Sequence, residues 1–273
     1  MQRIRSIHRP FLVAALTLGA LSFSAHAAES LKAGIYPSYP PLDMRDPATN
    51  ELTGFDVELG KALSTKLGRP VDWVETNFAE LIAATTTGRI EIFFNGMDDT
   101  PARQQQIAFV DYLRSGSQFL TMASSNITTP KAVCGKKVGI SRLTNDPAVF
   151  ARWNAATCEK AGLPAAVYMP AENSVDARSQ MKQGRTDVVM MDSLTIPYII
   201  QQNQGAFKTV GEPVEFQPMG IGVAKGDKAL QLQVADAMQK LIDDGSYARL
   251  LDKWGLSASS AIPKVTINNA PLR

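Results

Sequence analysis

Short apolar blocks alternate with segments of helical period along most of the chain. Leu31 to Ile35 reads as a first strand, and the prolines of Tyr36-Pro37-Ser38-Tyr39-Pro40-Pro41 then deny the chain a helix or a central strand. Gly54-Phe55-Asp56 opens a helix in which Phe55, Leu59, Leu63 and Leu67 fall near helical spacing, with Gly68 as its stop. Val71 to Val74 is a second strand, and Phe78 begins a helix that runs to Gly88. A similar series starts near Cys134, with strands at Val138 to Ile140 and Ala165 to Met169 and helices at Pro147 to Ala161 and Val175 to Gln183. The segments Ser115 to Thr121 and Val214 to Gly220 read as extended connectors. A helix from Lys228 to Ile242, a break at Gly245 and a short helix to Trp254 follow. Strands alternating with helices at this spacing predict βαβ units and a mainly parallel sheet.

One segment of this pattern occurs twice. Gly88-Arg89-Ile90-Glu91-Ile92-Phe93-Phe94-Asn95-Gly96 is echoed ninety-six positions later by Gly184-Arg185-Thr186-Asp187-Val188-Val189-Met190-Met191-Asp192, and Pro101 falls opposite Pro197. Each copy reads as a helix, a Gly stop, a short apolar strand and a polar strand end. In open α/β sheets ligands bind at that end of the strands. Either copy alone is an ordinary way to leave a helix and enter a buried strand, but two copies with an equivalent Pro predict duplicated α/β architecture.

The N-terminus carries Arg3, Arg5 and Arg9, an apolar run from Phe11 to Leu21, and Ala25-His26-Ala27. This is the pattern of a cleaved secretory signal over residues 1–27; the run is shorter than the ~20 residues of a membrane span. Without those three arginines 25 basic residues face 26 acidic ones, so the mature charge is about −1 and does not point to nucleic acid. His8 and His26 are the only histidines and both lie in the signal. That excludes Ser-His and Cys-His nucleophiles and any His metal site, and no cofactor or metal is expected. Cys134 and Cys158, the only cysteines, are an even count in an exported chain and predict one disulfide; two buried free thiols are the alternative. A remainder of about 245 residues suits two modest lobes.

Thr100-Pro101-Ala102-Arg103 starts a helix directly after the first polar strand tip, with Thr100 suited to N-cap and Pro101 to N1. Free N–H groups there favour an anion, and Arg103 could offer its fork to a carboxylate; an ordinary capped helix with a solvated Arg is the alternative. At the second tip Asp192 ends a buried strand and needs a partner, either a ligand ammonium or the start of the next helix. Tyr39 and Phe78 are candidate aromatic walls, or else core.

Tyr39-Pro40-Pro41, Gly54 to Leu59, Asn95-Gly96-Met97, Thr100 to Arg103, Gly184 to Asp192 and Asp243-Asp244-Gly245-Ser246-Tyr247 resemble, in order, the periplasmic solute-binding proteins of polar amino acid ABC importers. The resemblance covers nearly the whole mature chain. It implies an α/β fold of two lobes, each a βαβ-type sheet flanked by helices, joined by two crossing strands. Lobe 1 would be residues 28–114 plus 220–273, lobe 2 residues 118–214, and the hinge would lie near 115–118 and 214–219. It implies Arg103 as clamp for an α-carboxylate, Asp192 as acceptor for an α-ammonium, Asn95 and Gly96 as contacts at the first strand tip, and Tyr39 and Phe78 as side-chain walls. Thr144 and Asn145 match a second-lobe loop that donates to the carboxylate, and the Cys134 and Cys158 pair matches a disulfide of one branch of the family. Three positions depart from the pattern: Asp98 stands where Ser or Thr is usual, Arg142 and Leu143 occupy a loop usually richer in Gly, and Leu42 replaces a Phe. Asp98 would repel a carboxylate, bind a ligand cation, or pair with Arg103 or Arg142, and both Asp98 and Arg142 are expected among the ligand-binding residues. The implied function is capture of a small polar solute, an amino acid or related zwitterion, and delivery to a membrane permease by a monomeric periplasmic protein. A cyclohexadienyl dehydratase-like enzyme on the same scaffold, with Asp98 or Asp99 as its acid, and a soluble sensor partner are the alternatives. Turnover of prephenate or arogenate would mark the enzyme.

Overall fold

The computed structural model describes residues 29–256 and 258–271, so the expected signal segment lies outside the described residues. The first lobe opens with β1 (Leu31–Ile35), a small hairpin of β2 (Met44–Arg45) and β3 (Leu52–Thr53), α1 (Phe55–Leu67) and β4 (Val71–Glu75). It continues through α2 (Leu81–Thr86), β5 (Ile92–Asp98) and α3 (Pro101–Gln104) into the long strand β6 (Ile107–Met122). The second lobe comprises β7 (Lys137–Ser141), α4 (Asp146–Thr157), β8 (Val167–Ala171), α5 (Ser174–Lys182), β9 (Val188–Asp192) and α6 (Ile196–Gln202). A second long strand, β10 (Phe207–Ala224), carries the chain back to α7 (Lys228–Asp243), α8 (Ser246–Lys253) and a final hairpin of β11 (Thr266–Ile267) and β12 (Ala270–Pro271).

The main sheet runs β4-β1-β5-β10-β6-β9-β7-β8. Within each lobe three strands are parallel, β4-β1-β5 and β9-β7-β8, as βαβ connections require. The two long strands pair antiparallel with each other from Phe207↔Met122 to Ala224↔Ile107, and antiparallel with β5 and β9. The sequence reading saw these long strands only as seven-residue connectors. Ser115-Gly116-Ser117 interrupts the apolar pattern of β6, yet the backbone ladder runs through it, with shifts of register around Val214 and Gln217. Those shifts lie where the chain passes between the lobes.

The duplication extends to backbone detail. After α2, Gly88 N–H donates to Thr85 O and Arg89 N–H to Ala84 O; after α5, Gly184 N–H donates to Met181 O and Arg185 N–H to Gln180 O. Both glycines adopt positive φ, 75° and 72°, which closes the same pair of orphan carbonyls in the same way. The following strands β5 and β9 hold equivalent places beside the crossing pair.

Each lobe has its own core. Leu31, Phe55, Phe94, Tyr112, Val234 and Tyr247 are buried in the first, where α7 and α8 pack on α1; Phe119, Val138, Phe150, Trp153 and Val188 are buried in the second. Leu194, just beyond β9, joins the first-lobe core and ties the lobes at the base of the crossing strands. Cys134 and Cys158 form the disulfide, pinning the C-terminal end of α4 to the segment before β7.

Candidate functional site

The strand tips of the two lobes face each other across a cavity of about 410 Å³. Tyr39, Phe78, Asn95, Gly96, Asp98 and Arg103 line it from the first lobe, and Thr144, Asn145 and Asp192 from the second. The tenth expected residue, Arg142, does not reach it. It follows directly on β7, is exposed, and forms an ion pair with Glu172 at the surface. Its neighbour Leu143 lines the cavity instead, and the Leu143 carbonyl takes the polar role in this loop.

Arg103 spans the cleft. Thr100 caps the four-residue α3, its Oγ accepting from Arg103 N–H at 3.4 Å. The guanidinium donates from Nη1 to Asp98 O at 3.0 Å and from Nη2 to Leu143 O of the other lobe at 3.3 Å, with Cζ 5.9 Å from the Phe78 ring centre. The Asp98 carboxylate lies 3.8 Å from Nη1, and the Asn145 backbone N–H of the other lobe draws its pKa down. Burial pushes the Asp98 carboxyl up to about 7, against the pull of Arg103 and with a further push from Asp146 and Asp192. Burial also lowers the Arg103 pKa.

Asp192 orders the start of the next helix and also lines the cavity. Its Oδ1 accepts from the backbone N–H of Leu194 at 3.0 Å and of Thr195 at 3.3 Å, ordering the turn into α6, while its carboxylate also faces the cavity. Burial raises it to about 6, with the Tyr39 hydroxyl and those amides drawing it back down. Tyr39 is held protonated by burial and by the Asp192 charge.

Asp146 is the site residue that the sequence reading passed over. It is the first residue of α4, 7 % exposed, with Ser117 donating to Oδ1 at 2.5 Å and Thr144 to Oδ2 at 2.9 Å. Burial raises its pKa. An Asp directly before Pro147 at a helix start beside Thr144 and Asn145 was the available signal; Ser117, central in a strand that crosses between lobes, gave none. Apart from the rim, the charged groups of the lining are Asp98, Asp146 and Asp192 against Arg103, with Arg178 acting on Asp192 from outside it. The lining glutamates Glu80, Glu172 and Glu215 face Arg89, Arg142 and Arg152 instead.

A fully buried layer supports the first strand tip. Asn95 Nδ2 donates to Tyr36 O at 3.1 Å and to Asp43 Oδ2 at 2.5 Å. Gly96 N–H donates to the Tyr112 hydroxyl, which donates to Asp56 Oδ2, both at 2.9 Å. The Gly96 amide thus points inward; with φ at 53° and a Cβ that would sit 2.6 Å from the Tyr39 ring, the position leaves room for that ring. Asp43 and Asp56 are both 0 % exposed, and each keeps one carboxylate oxygen without a hydrogen-bond partner beside the other's charge. Burial holds Asp43 well above the usual carboxylate range and Asp56 at about 7.

The buried carboxylates of the two lobes, Asp111 of β6 among them, have a pH signature. Asp56 and Asp111, at about 7, and Asp192, at about 6, bind protons in the folded chain that the unfolded chain releases near pH 4. The folded state then holds more protons between pH 4 and pH 7, and stability falls as pH rises through that window. Asp46 and Asp244, held below their usual range, act only at lower pH. Urea unfolding is expected to give a larger free energy at pH 5 than at pH 8; equal values would contradict the upward shifts of these carboxylates.

Among known proteins, the chain matches the family model of the bacterial extracellular solute-binding proteins, family 3, over residues 31–257. It is 29 % identical over 259 residues to the L-arginine-binding protein of Pseudomonas aeruginosa, an alignment covering 89 % of this chain and 95 % of that one. It is 26 % identical over 247 residues to ABC transporter arginine-binding protein 1 of Escherichia coli, covering 89 % and 98 %. The solved structure of an ancestral arginine-binding protein bound to arginine superposes with a TM-score of 0.73 at 28 % identity, covering 84 % of this chain and 99 % of that one. The lobes, their crossing strands and the cleft between them agree with that likeness, and the chain belongs to the bacterial extracellular solute-binding proteins, family 3.

Proposed function

We propose that this protein captures a small polar solute, an amino acid or a close chemical relative of one, in the interlobe cleft and presents it to the permease of an ABC importer. The observation that carries this reading is the cleft itself: Arg103 and Asp192 reach one cavity from opposite lobes, each at the end of a duplicated strand unit. A solute held by both lobes favours the closed state by the difference of its affinities for the two states, and the importer reads the closed shape. The register shifts near Val214 and Gln217 supply a hinge of two strands that bends while each lobe keeps its core. The arginine-binding relatives support an amino-bearing solute. Their activity as binding proteins favours a binder over the dehydratase alternative. The basic N-terminal segment supports export to the periplasm, and no helix among the described residues is long and apolar enough to cross a membrane.

Calorimetric titration with amino-bearing solutes tests the reading. A solute ammonium binds the ionised forms of Asp98, at about 7, and Asp192, at about 6. Acidification below those values makes the ligand displace protons, so affinity is expected to drop from pH 8 to pH 5, approaching about tenfold per pH unit for each proton displaced. An affinity flat across that range would remove the carboxylates from the site, and no binding of any such solute would remove the function.

A further inference from the structure

The interior of the cleft is built for more positive charge than an ordinary amino acid brings. Its three carboxylates, Asp98, Asp146 and Asp192, lie within electrostatic reach of one another and face one lining guanidinium, Arg103, while Arg178, outside the lining, acts on Asp192. The rim glutamates do not alter this balance, because each has an arginine of its own outside the interior. With all groups ionised the lining carries three negative charges and one positive, and with Arg178 counted the site is still net negative, so it favours a ligand of net positive charge.

A ligand carboxylate has no place in this balance. The clamp expected from the family resemblance is Arg103, but two of its donors go to the carbonyls of Asp98 and Leu143. The position beside it that would donate to a carboxylate is Asp98, whose oxygen already lies 3.8 Å from Nη1. A carboxylate entering there meets a second negative charge in a shielded setting, where such charges repel strongly. The faces of Tyr39 and Phe78 suit cationic groups and the apolar spacer between them.

We infer that the cleft takes an organic dication without a free carboxylate, a diamine or guanidino-amine, in preference to the α-amino acid of the same skeleton. This rests on the interlobe cleft being the solute site. Ligands differing only by the carboxylate test it: agmatine against L-arginine, and cadaverine against L-lysine, titrated into the mature protein at pH 8. The amine of each pair is expected to bind at least tenfold more tightly. In Asp98→Ser the order narrows or reverses, because the amine loses an anion and the amino acid loses a repulsion; thermal unfolding of this variant checks that it is folded. Should L-arginine or L-lysine bind as tightly as its amine in the unaltered protein, the inference falls while the proposed function stands. Should neither member of either pair bind, the inference falls, and the proposed function falls only if no other amino-bearing solute binds either. An unchanged ratio in a folded Asp98→Ser variant also overturns the inference, since Asp98 would then not set the preference.

Discussion

Replacing Asp192 with Asn is expected to weaken solute binding by about 2 to 5 kcal/mol, the range for removing one partner of a buried charge pair. That loss is about 30-fold to several thousand-fold in Kd. The substitution isolates charge from structure. Asn keeps an Oδ1 that can accept from Leu194 and Thr195 N–H, so the turn into α6 retains its hydrogen bonds. The carboxylate sits at the end of a strand whose core residues, Val188 to Met191, are untouched. Calorimetry against the best-bound solute, with thermal unfolding of the free protein alongside, separates the two effects. Undiminished affinity in a folded Asp192→Asn protein would place the ammonium contact elsewhere.

Removing the Cys134–Cys158 bridge by a double substitution to Ala is expected to cost about 3 to 4 kcal/mol of stability, from the loop-closure entropy of its span. The bridge joins residues 24 apart in sequence. It holds the C-terminal end of α4 against the segment that leads into β7, and Cys158 is fully buried in the second-lobe core. The cavity-lining residues Thr144, Asn145 and Asp146 of this lobe lie at the opposite end of α4 and of β7. Affinity should therefore change far less than stability. Denaturant unfolding of the double variant measures the first, and titration at a temperature where the variant stays folded measures the second. A stability loss below ~1 kcal/mol would mean that the closed loop was already restrained in the unfolded chain.

Much of the fold could be read from periodicity because each element is locally consistent. The strand at Leu31–Ile35 and the helix from Phe55 to its Gly68 stop occur as their apolar spacing and terminal glycine dictate. The repeated Gly-Arg segment gives two strands in equivalent positions, since the same helix stop and apolar run produce the same turn twice. Boundaries were less legible. The strand expected at Ala165–Met169 lies at Val167–Ala171, where half-exposed residues give no sharp apolar edge.

Other features belong to tertiary structure alone. Whether Ser115-Gly116-Ser117 ends a strand or continues one is settled by Val214 and Gln217 of β10, a partner about a hundred positions away. The same meeting of distant segments brings Ser117 to Asp146 and makes Asp146 a cavity residue. It sends Arg142 outward to Glu172 and leaves the Leu143 carbonyl to meet Arg103. Residue types by themselves determined which groups could carry charge at the strand tips: Asp98, Arg103 and Asp192. How those charges balance was decided only by folding, because burial and a shared neighbour set the cost of each charge and neither is a property of one position in a chain.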